Sequence, residues 1–298
     1  MFVQRSLFLA LLLLSLIWGG SFFFIKILLP DFGPMSISFL RSAFGLLTIV
    51  LIMLATRKKF GWKAIPWPLM ILIGLVNTAI PWILIGTSET RLTSSMASVL
   101  NATTPLWTMV VGILFFKGVS SPMQWLGVGI AFAGILVLVD LNPTSFVSVD
   151  LIGLFCMLTA TLCYGIGSQL SKRLAGLTMY QITFGTLFTT VLATGAASLV
   201  WEGIAWGQIA EWHNIGGLVG LGVFGSGVAY ILFYYMVQKG SPEFATLVTY
   251  LLPVTAIIWG ATLLGEAVTW NLLVGMVLVL CGVFVAGRKA SKAAVVDK

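Results

Sequence analysis

Residues 97–139 read ASVLNATTPLWTMVVGILFFKGVSSPMQWLGVGIAFAGILVLV, and residues 245–286 read ATLVTYLLPVTAIIWGATLLGEAVTWNLLVGMVLVLCGVFVA. A shift of 148 positions lays Ala97 on Ala245, Pro105 on Pro253, Gly112 on Gly260, Gly127 on Gly275 and Gly134 on Gly282. That shift is nearly half of the 298 residues, so the chain reads as two copies of one unit. The copies are expected at residues 7–140 and 150–287, followed by a basic tail at 288–298.

Composition sets the surroundings of both copies. Apolar residues make up 59% of the chain, charged residues 8%, and mean hydropathy is +1.07. A soluble domain carries about 25% charged residues. A helix that crosses a bilayer needs about 20 mainly apolar residues. Ten such stretches fit: 6–28, 34–56, 68–88, 93–116, 122–140, 150–171, 178–200, 214–237, 243–263 and 269–287. The expected fold is an all-α polytopic membrane protein. The first stretch, led by Arg5, resembles a secretory signal, but its apolar run continues through WGGSFFFIKILL without an A-x-A site. It is read as an uncleaved span.

Charge then orients the spans. With the N-terminus in the cytoplasm, inside segments hold Arg5, Arg57, Lys58, Lys59, Lys63, Lys117, Lys172, Arg173, Lys239, Arg288, Lys289, Lys292 and Lys298, which is 13 of 16 basic residues. Outside connections hold Asp31, Glu89, Asp140, Asp150, Glu202, Glu211 and Glu266, seven of nine acids. This segregation follows the positive-inside rule and puts both termini on the cytoplasmic side of a cell membrane. The net charge of +7 is thus a membrane signal rather than a nucleic-acid footprint. Five spans per copy is an odd number, so the two copies are expected to be inverted across the membrane plane. Inverted pairs exchange shapes around a shared site, which is the geometry of alternating access.

Several motifs together carry a family resemblance. They are Trp18-Gly19-Gly20-Ser21 opening span one, Pro34 with Arg41 entering span two, the A-x7-P spacing at Ala97/Pro105 and Ala245/Pro253, and the G-x6-G pair closing each half. In this order and duplication the chain resembles the EamA-like branch of the drug/metabolite transporter superfamily, over about residues 7–287. The resemblance implies ten helices in two inverted five-helix repeats and movement, commonly export, of small metabolites such as amino acids, related compounds or drugs. One departure is visible: Glu266 follows span nine, whereas its counterpart in the first copy is Gly118.

Interrupted helices at matching positions point to the binding site of such a carrier. Asn77-Thr78-Ala79-Ile80-Pro81-Trp82 in span three falls, in the same register, on Gly225-Ser226-Gly227-Val228-Ala229-Tyr230 in span eight. Proline removes a backbone donor and glycine loosens a helix. Pro81, Gly225 and Gly227 are therefore expected to mark breaks at one level, and Pro105 and Pro253 a second symmetric pair. The plainer reading of these residues is close helix packing. Asn101, four residues before Pro105, is read either as repairing the kink or as binding substrate. Candidate pocket residues are Trp18, Ser21, Asn77, Trp82, Asn101, Trp107, Gln169, Tyr230, Tyr234 and Tyr250. Their composition suits a neutral or zwitterionic small-molecule substrate with an apolar part. Against this stands the interfacial aromatic belt, to which Trp62, Trp67, Trp201, Trp206 and Trp212 are assigned.

Charged candidates are few. Arg41 lies about 10 Å along its helix from Pro34 at 1.5 Å per residue. It is read first as pairing with an outside acid or snorkelling, and second as drawing a substrate carboxylate into a vestibule it shares with Glu89. His213 sits in a loop and Glu89 is the sole acid near a span, so flux is expected to proceed without an obligatory proton relay. Cys156, Cys163 and Cys281 match no zinc or redox spacing, and no P-loop is present, so no metal, cofactor or ATP site is expected. An intramembrane enzyme would need buried acids, bases or metal ligands that this inventory lacks. A passive channel or facilitator for small neutral solutes is the second reading. The partners are the lipid bilayer and the solute; packing pairs such as Gly127/Ala131 and Gly216/Gly220 serve one chain or an oligomer equally well.

Overall fold

The computed structural model describes residues 2–116, 120–139, 150–240 and 242–287. Lys117, Gly118, Asp140 and the tail at 288–298 lie outside them. Ten antiparallel helical spans fill the described chain: α1 (Phe2–Leu28), α2 (Pro34–Ala55), α3 (Trp67–Glu89), α4 (Ser94–Phe115), α5 (Pro122–Leu138), α6 (Leu151–Ser171), α7 (Met179–Trp201), α8 (Trp212–Lys239), α9 (Phe244–Leu263) and α10 (Trp270–Gly287). Nine are long and apolar enough to cross a bilayer; α5 is apolar but has 17 residues. No strand occurs among the described residues.

Residues that suit the local geometry set the helix ends. Gly33 precedes Pro34 at the start of α2, where the missing proline N–H costs nothing. Ser121 and Gln124 form a reciprocal capping box on α5, and Thr178 and Gln181 form one on α7. Asp150 accepts from the backbone N–H groups of Ile152 and Gly153 at the start of α6 and pairs with Arg91 at 2.7 Å. The Arg91 guanidinium and those N–H groups hold its carboxyl below the usual carboxylate range. At the same end, the ring of His213 and the amide of Asn214 do the same for Asp31. Asp31, Glu89, Asp150, Glu202 and Glu266 thus gather at one end of the bundle, called here the acidic end. Arg57, Lys58, Lys172 and Arg173 mark the basic end.

Apolar faces point in two directions. Large side chains such as Leu47, Leu51, Phe115, Phe155 and Leu199 remain exposed on the outer surface, as a lipid-facing surface requires. The interior is held by small residues. Gly127, Ala131 and Gly134 of α5 lie against Gly282, Ala286 and Gly275 of α10, so the two G-x6-G patterns close on each other. A Cβ on Gly134 would come within 2.9 Å of the Gly275 carbonyl oxygen, and one on Gly275 within 3.0 Å of the Gly134 oxygen. These helices cross at backbone contact, where lipid supplies no hydrophobic drive and close packing must serve instead. The assigned belt residues Trp62, Trp201, Trp206 and Trp212 are exposed, with Trp67 stacked on Trp62.

Gly282→Ala and Gly134→Ala are expected to lower stability by about 1–3 kcal/mol, because backbone cannot yield to the added methyl. Gly129, on α5 with open space around it, is the control: Gly129→Ala is expected to be neutral or slightly stabilising. Thermal melts of the purified protein in one detergent read both.

Candidate functional site

Spans three and eight each contain a stretch of π-helix. In α3 the segment Leu75–Ala79 is π-helical and Pro81 opens the next α-helical turn. In α8 the π segment is Val219–Val228, which contains Gly225 and Gly227. The 148-residue register carries 75–79 onto 223–227, so the second segment covers the first. A π segment leaves backbone carbonyls out of the usual ladder, and in a membrane they need internal donors. Thr78 and Thr190 donate to the Gly74 carbonyl, at 2.9 and 3.4 Å. Ser226 Oγ donates to the Leu221 carbonyl at 3.2 Å, and the Trp18 indole N–H to that of Gly225 at 3.2 Å. The helix breaks are therefore stitched to α1 and α7 by side chains.

The proline of α4 works differently. The helix is interrupted at Ala102–Thr103 and resumes at Thr104 with Pro105 in its first turn. Proline at 105 frees the Asn101 carbonyl, and Thr104 Oγ1 takes it at 2.8 Å. The Asn101 side chain takes no part: its Oδ1 is buried without a partner. Of its two readings, kink repair belongs to Thr104. In α9 the interruption falls at Leu247, and Pro253 lies inside the helix that follows.

Around the π segments the chain gathers a central cluster. Trp18 stands edge-on to Tyr230, with ring centroids 6.3 Å apart, and tilted against Phe233 at 5.8 Å. The Ser21 hydroxyl, which donates back to Ile17, lies beside Gly225. Trp82 stacks under the Arg41 guanidinium, 3.9 Å from ring centroid to Cζ. Arg41 Nε donates to Ser226 Oγ at 2.9 Å. Glycines allow these approaches: a Cβ on Gly222 would lie 3.0 Å from the Arg41 carbonyl oxygen, and one on Gly45 would lie 2.8 Å from Ser226 Cβ. Asn77 lies against Gly167 of α6, and Trp107 against Gly165.

Two site residues lie apart from this cluster. Gln169 donates to the Thr108 carbonyl at 2.7 Å and accepts from Lys172 at 2.6 Å. With Met109, Gly112, Ile113, Phe116, Lys172 and Arg173 it lines a cavity of about 440 Å³ between α4 and α6 at the basic end. Tyr250 sits between α9 and the end of α10, its hydroxyl 3.8 Å from where a Gly287 Cβ would stand. The Tyr234 side chain lies outside the described residues. A second hollow, of about 510 Å³, is formed by connecting residues around Asp31 and Glu202 at the acidic end.

The charged pair departs from expectation. Arg41 neither snorkels nor pairs with an acid: it is 8% exposed, and no carboxylate oxygen lies within 4 Å among the described residues. Glu89 is not at an open vestibule either. It is fully buried, and neither carboxylate oxygen has a partner. Lys26 donates to the Glu89 and Leu92 backbone carbonyls, at 2.6 and 2.8 Å, rather than to the carboxylate. The spans do contain a buried carboxyl, which removes the premise from which flux without a proton relay was expected. Depth along a helix is legible in sequence; the face on which a side chain emerges is not.

Two other acids, placed by the sequence in connecting segments, act as caps. Glu202, just past α7, accepts from the Met35 and Ser36 N–H groups at 2.9 and 2.8 Å and from Ser36 Oγ at 3.0 Å, closing the start of α2. Glu266, just past α9, accepts from the Ser94 and Ser95 N–H groups at 2.7 and 3.0 Å and from Ser95 Oγ at 2.5 Å, closing the start of α4. Carboxylates suit a helix N-terminus by hydrogen bonding and by dipole. The available signal was their common position, one to three residues beyond a span.

Comparison with known proteins gives the site its setting. The profile of the EamA-like transporter family matches residues 5–140 and 151–288. An uncharacterized transporter of Archaeoglobus fulgidus is 24% identical over 275 residues, covering 91% of this chain and 95% of its own. The inner membrane transporter YedA of Escherichia coli is 28% identical over 273 residues, covering 88% and 84%. Protein PecM of Dickeya dadantii is 24% identical, covering 90% and 88%. One solved crystal structure superposes with a TM-score of 0.68 at 16% identity, over 95% of this chain and 96% of that one, which shows a shared fold.

Glu202→Ala and Glu266→Ala are each expected to lower stability by about 1–2 kcal/mol, as loss of a helix cap does. The exposed Glu211, changed to Ala, should have no effect; melting curves in detergent separate the three.

Proposed function

The chain belongs to the EamA-like transporter family, and on that premise we propose that it is a secondary transporter exporting small metabolites by alternating access. The site is the central cluster of Trp18, Trp82 and Tyr230, with Asn101 of α4 as a further candidate, between two inverted five-helix repeats, residues 7–140 and 150–287. One observation carries this reading: π-helical breaks occur in α3 and α8 at positions related by the 148-residue register, the α8 break holds Trp18 and Arg41, and Trp82, three residues past the α3 break, stacks on the same Arg41. A rigid pair of helices would have no reason to break at one level in both copies; a bistable pair that closes around a solute does.

Orientation follows from charge. The basic end faces the cytoplasm with both termini, so the cavity at Gln169 and Lys172 is the cytoplasmic entry, and the capped acidic end is the closed exit. The similar protein YedA is an inner membrane transporter by name, which supports a cell-membrane location. The solute is a small organic molecule of the amino acid or related metabolite class, with an apolar part that the aromatic side chains accept.

Counterflow in liposomes tests the carrier. Saturable exchange of at least one member of a labelled metabolite panel is expected, falling tenfold or more in Tyr230→Ala and Asn101→Ala while both variants stay folded. Linear, non-saturating flux that both substitutions leave unchanged would favour a channel instead. Impermeant thiol labelling of single cysteines at positions 57 and 31, in a background with the native cysteines replaced, reads the orientation: in intact cells position 31 should react and position 57 should not.

A further inference from the structure

The guanidinium of Arg41 is buried in the span region without an acid partner. Arginine stays charged in proteins, and a charge at the bilayer centre costs roughly 2.5–3.5 kcal/mol on insertion scales. The fold tolerates that cost without offsetting it by an ion pair. The neighbouring charges are otherwise disposed. Glu266 is taken up by the start of α4, and Lys26 lies on backbone carbonyls. A counter-ion role for Glu89 would put one of its oxygens on the guanidinium, yet neither oxygen has any partner.

The guanidinium is held on two of its sides. One face is covered by Trp82 at 3.9 Å, and Nε is fixed by Ser226 at 2.9 Å. The edge formed by Nη1 and Nη2 has no hydrogen-bond acceptor among the described residues. That edge is the one on which arginine binds a carboxylate through two parallel bonds. Tyr230 stands edge-on to Trp18, with ring centroids 6.3 Å apart. Its hydroxyl is a donor for the remaining lone pairs of an anion, and Trp18 with Trp82 offers apolar surface beside it.

Resting on the carrier reading above, we infer that Arg41 is the anion anchor of the central site and that the substrate carries a carboxylate beside an apolar group. Ser226 is the positioning residue: it belongs to the π segment of α8, so the anchor on α2 is aimed by the other half of the chain. An anion on the free edge would then touch a group whose orientation depends on how α2 and α8 sit together. Occupancy and conformation are linked through that one hydrogen bond.

The test uses the purified full-length chain and two probes of one shape, 3-phenylpropionate and its neutral amide, 3-phenylpropionamide. Binding is read by tryptophan fluorescence. The carboxylate is expected to saturate at a concentration roughly tenfold or more below the amide, as the loss of a charged hydrogen-bonded pair predicts. Arg41→Gln should abolish that preference. Arg41→Lys should keep the preference for charge but bind more weakly, since an ammonium lacks the fork. Ser226→Ala should weaken carboxylate binding several-fold with Arg41 intact, and it carries the test with Arg41→Lys if Arg41→Gln does not fold. Equal binding of acid and amide, no saturable carboxylate signal, or an undiminished preference in folded Arg41→Gln would each overturn the anchor. Counterflow of the same pair separates the two readings. Saturable exchange indifferent to charge and to Arg41 leaves a carrier without this anchor. Arg41-dependent binding without any exchange leaves an anion site in a protein that does not carry this solute.

Discussion

Hydrocarbon cannot hydrogen-bond to backbone, and most of this architecture follows from that. A helix that crosses a bilayer must satisfy its own amides, so any interruption has to be turned toward protein and given donors there. The breaks of α3, α4 and α8 obey this rule with hydroxyl and indole groups: Thr78, Thr190 and Thr104 in one half of the interior, Ser226 and Trp18 in the other. Polar side chains that repair backbone are drawn to the breaks, and the breaks bring irregular backbone to the bundle centre. A site of mixed aromatic and polar character is a consequence of keeping broken helices in a membrane.

The same constraint governs packing. Where lipid tails are as apolar as leucine, helices gain by approaching closely, and small residues decide where they can. Gly134 and Gly275 bring α5 and α10 into backbone contact. Gly45 and Gly222 do the same for α2 and α8, and there the approach has a chemical result: it lets Arg41 reach Ser226. Glycine thus acts once as structural closure and once as the means of aiming a charged side chain.

These differences explain what was legible in the chain. Spans could be read because apolar length is one-dimensional; 178–200 became Met179–Trp201, and 269–287 became Trp270–Gly287. The level of the breaks could be read because Pro81 and the glycines near 225 mark it directly, although the π geometry could not. What stayed hidden depends on rotation about a helix axis or on partners remote in sequence. Arg41 has a definite depth in sequence, but its place under Trp82 and on Ser226 requires three helices to be assembled first. Asn101 looked like the natural repair for Pro105, yet Thr104, three residues on, reaches the freed carbonyl and leaves the amide without a partner. Glu202 and Glu266 looked like ordinary loop acids because the N-termini they cap lie more than half the chain away.

The caps also make the two ends unequal. The start of α2 is held by Glu202, which arrives with α7; three hydrogen bonds cross between the two helices there. The start of α7, at the other end, is capped by its own Thr178 and Gln181. A cap supplied from within the helix travels with it and resists nothing when neighbours part. A cap supplied by another helix is broken by the same parting, and its carboxylate and N–H groups are left to find water. Separation of α2 from α7 therefore costs charge-assisted hydrogen bonds at the acidic end and none of this kind at α7's own start. Glu266, bound to α4 from the end of α9, repeats the arrangement at the acidic end. Two remote caps thus make the acidic end the one whose helices cannot part without breaking charge-assisted bonds.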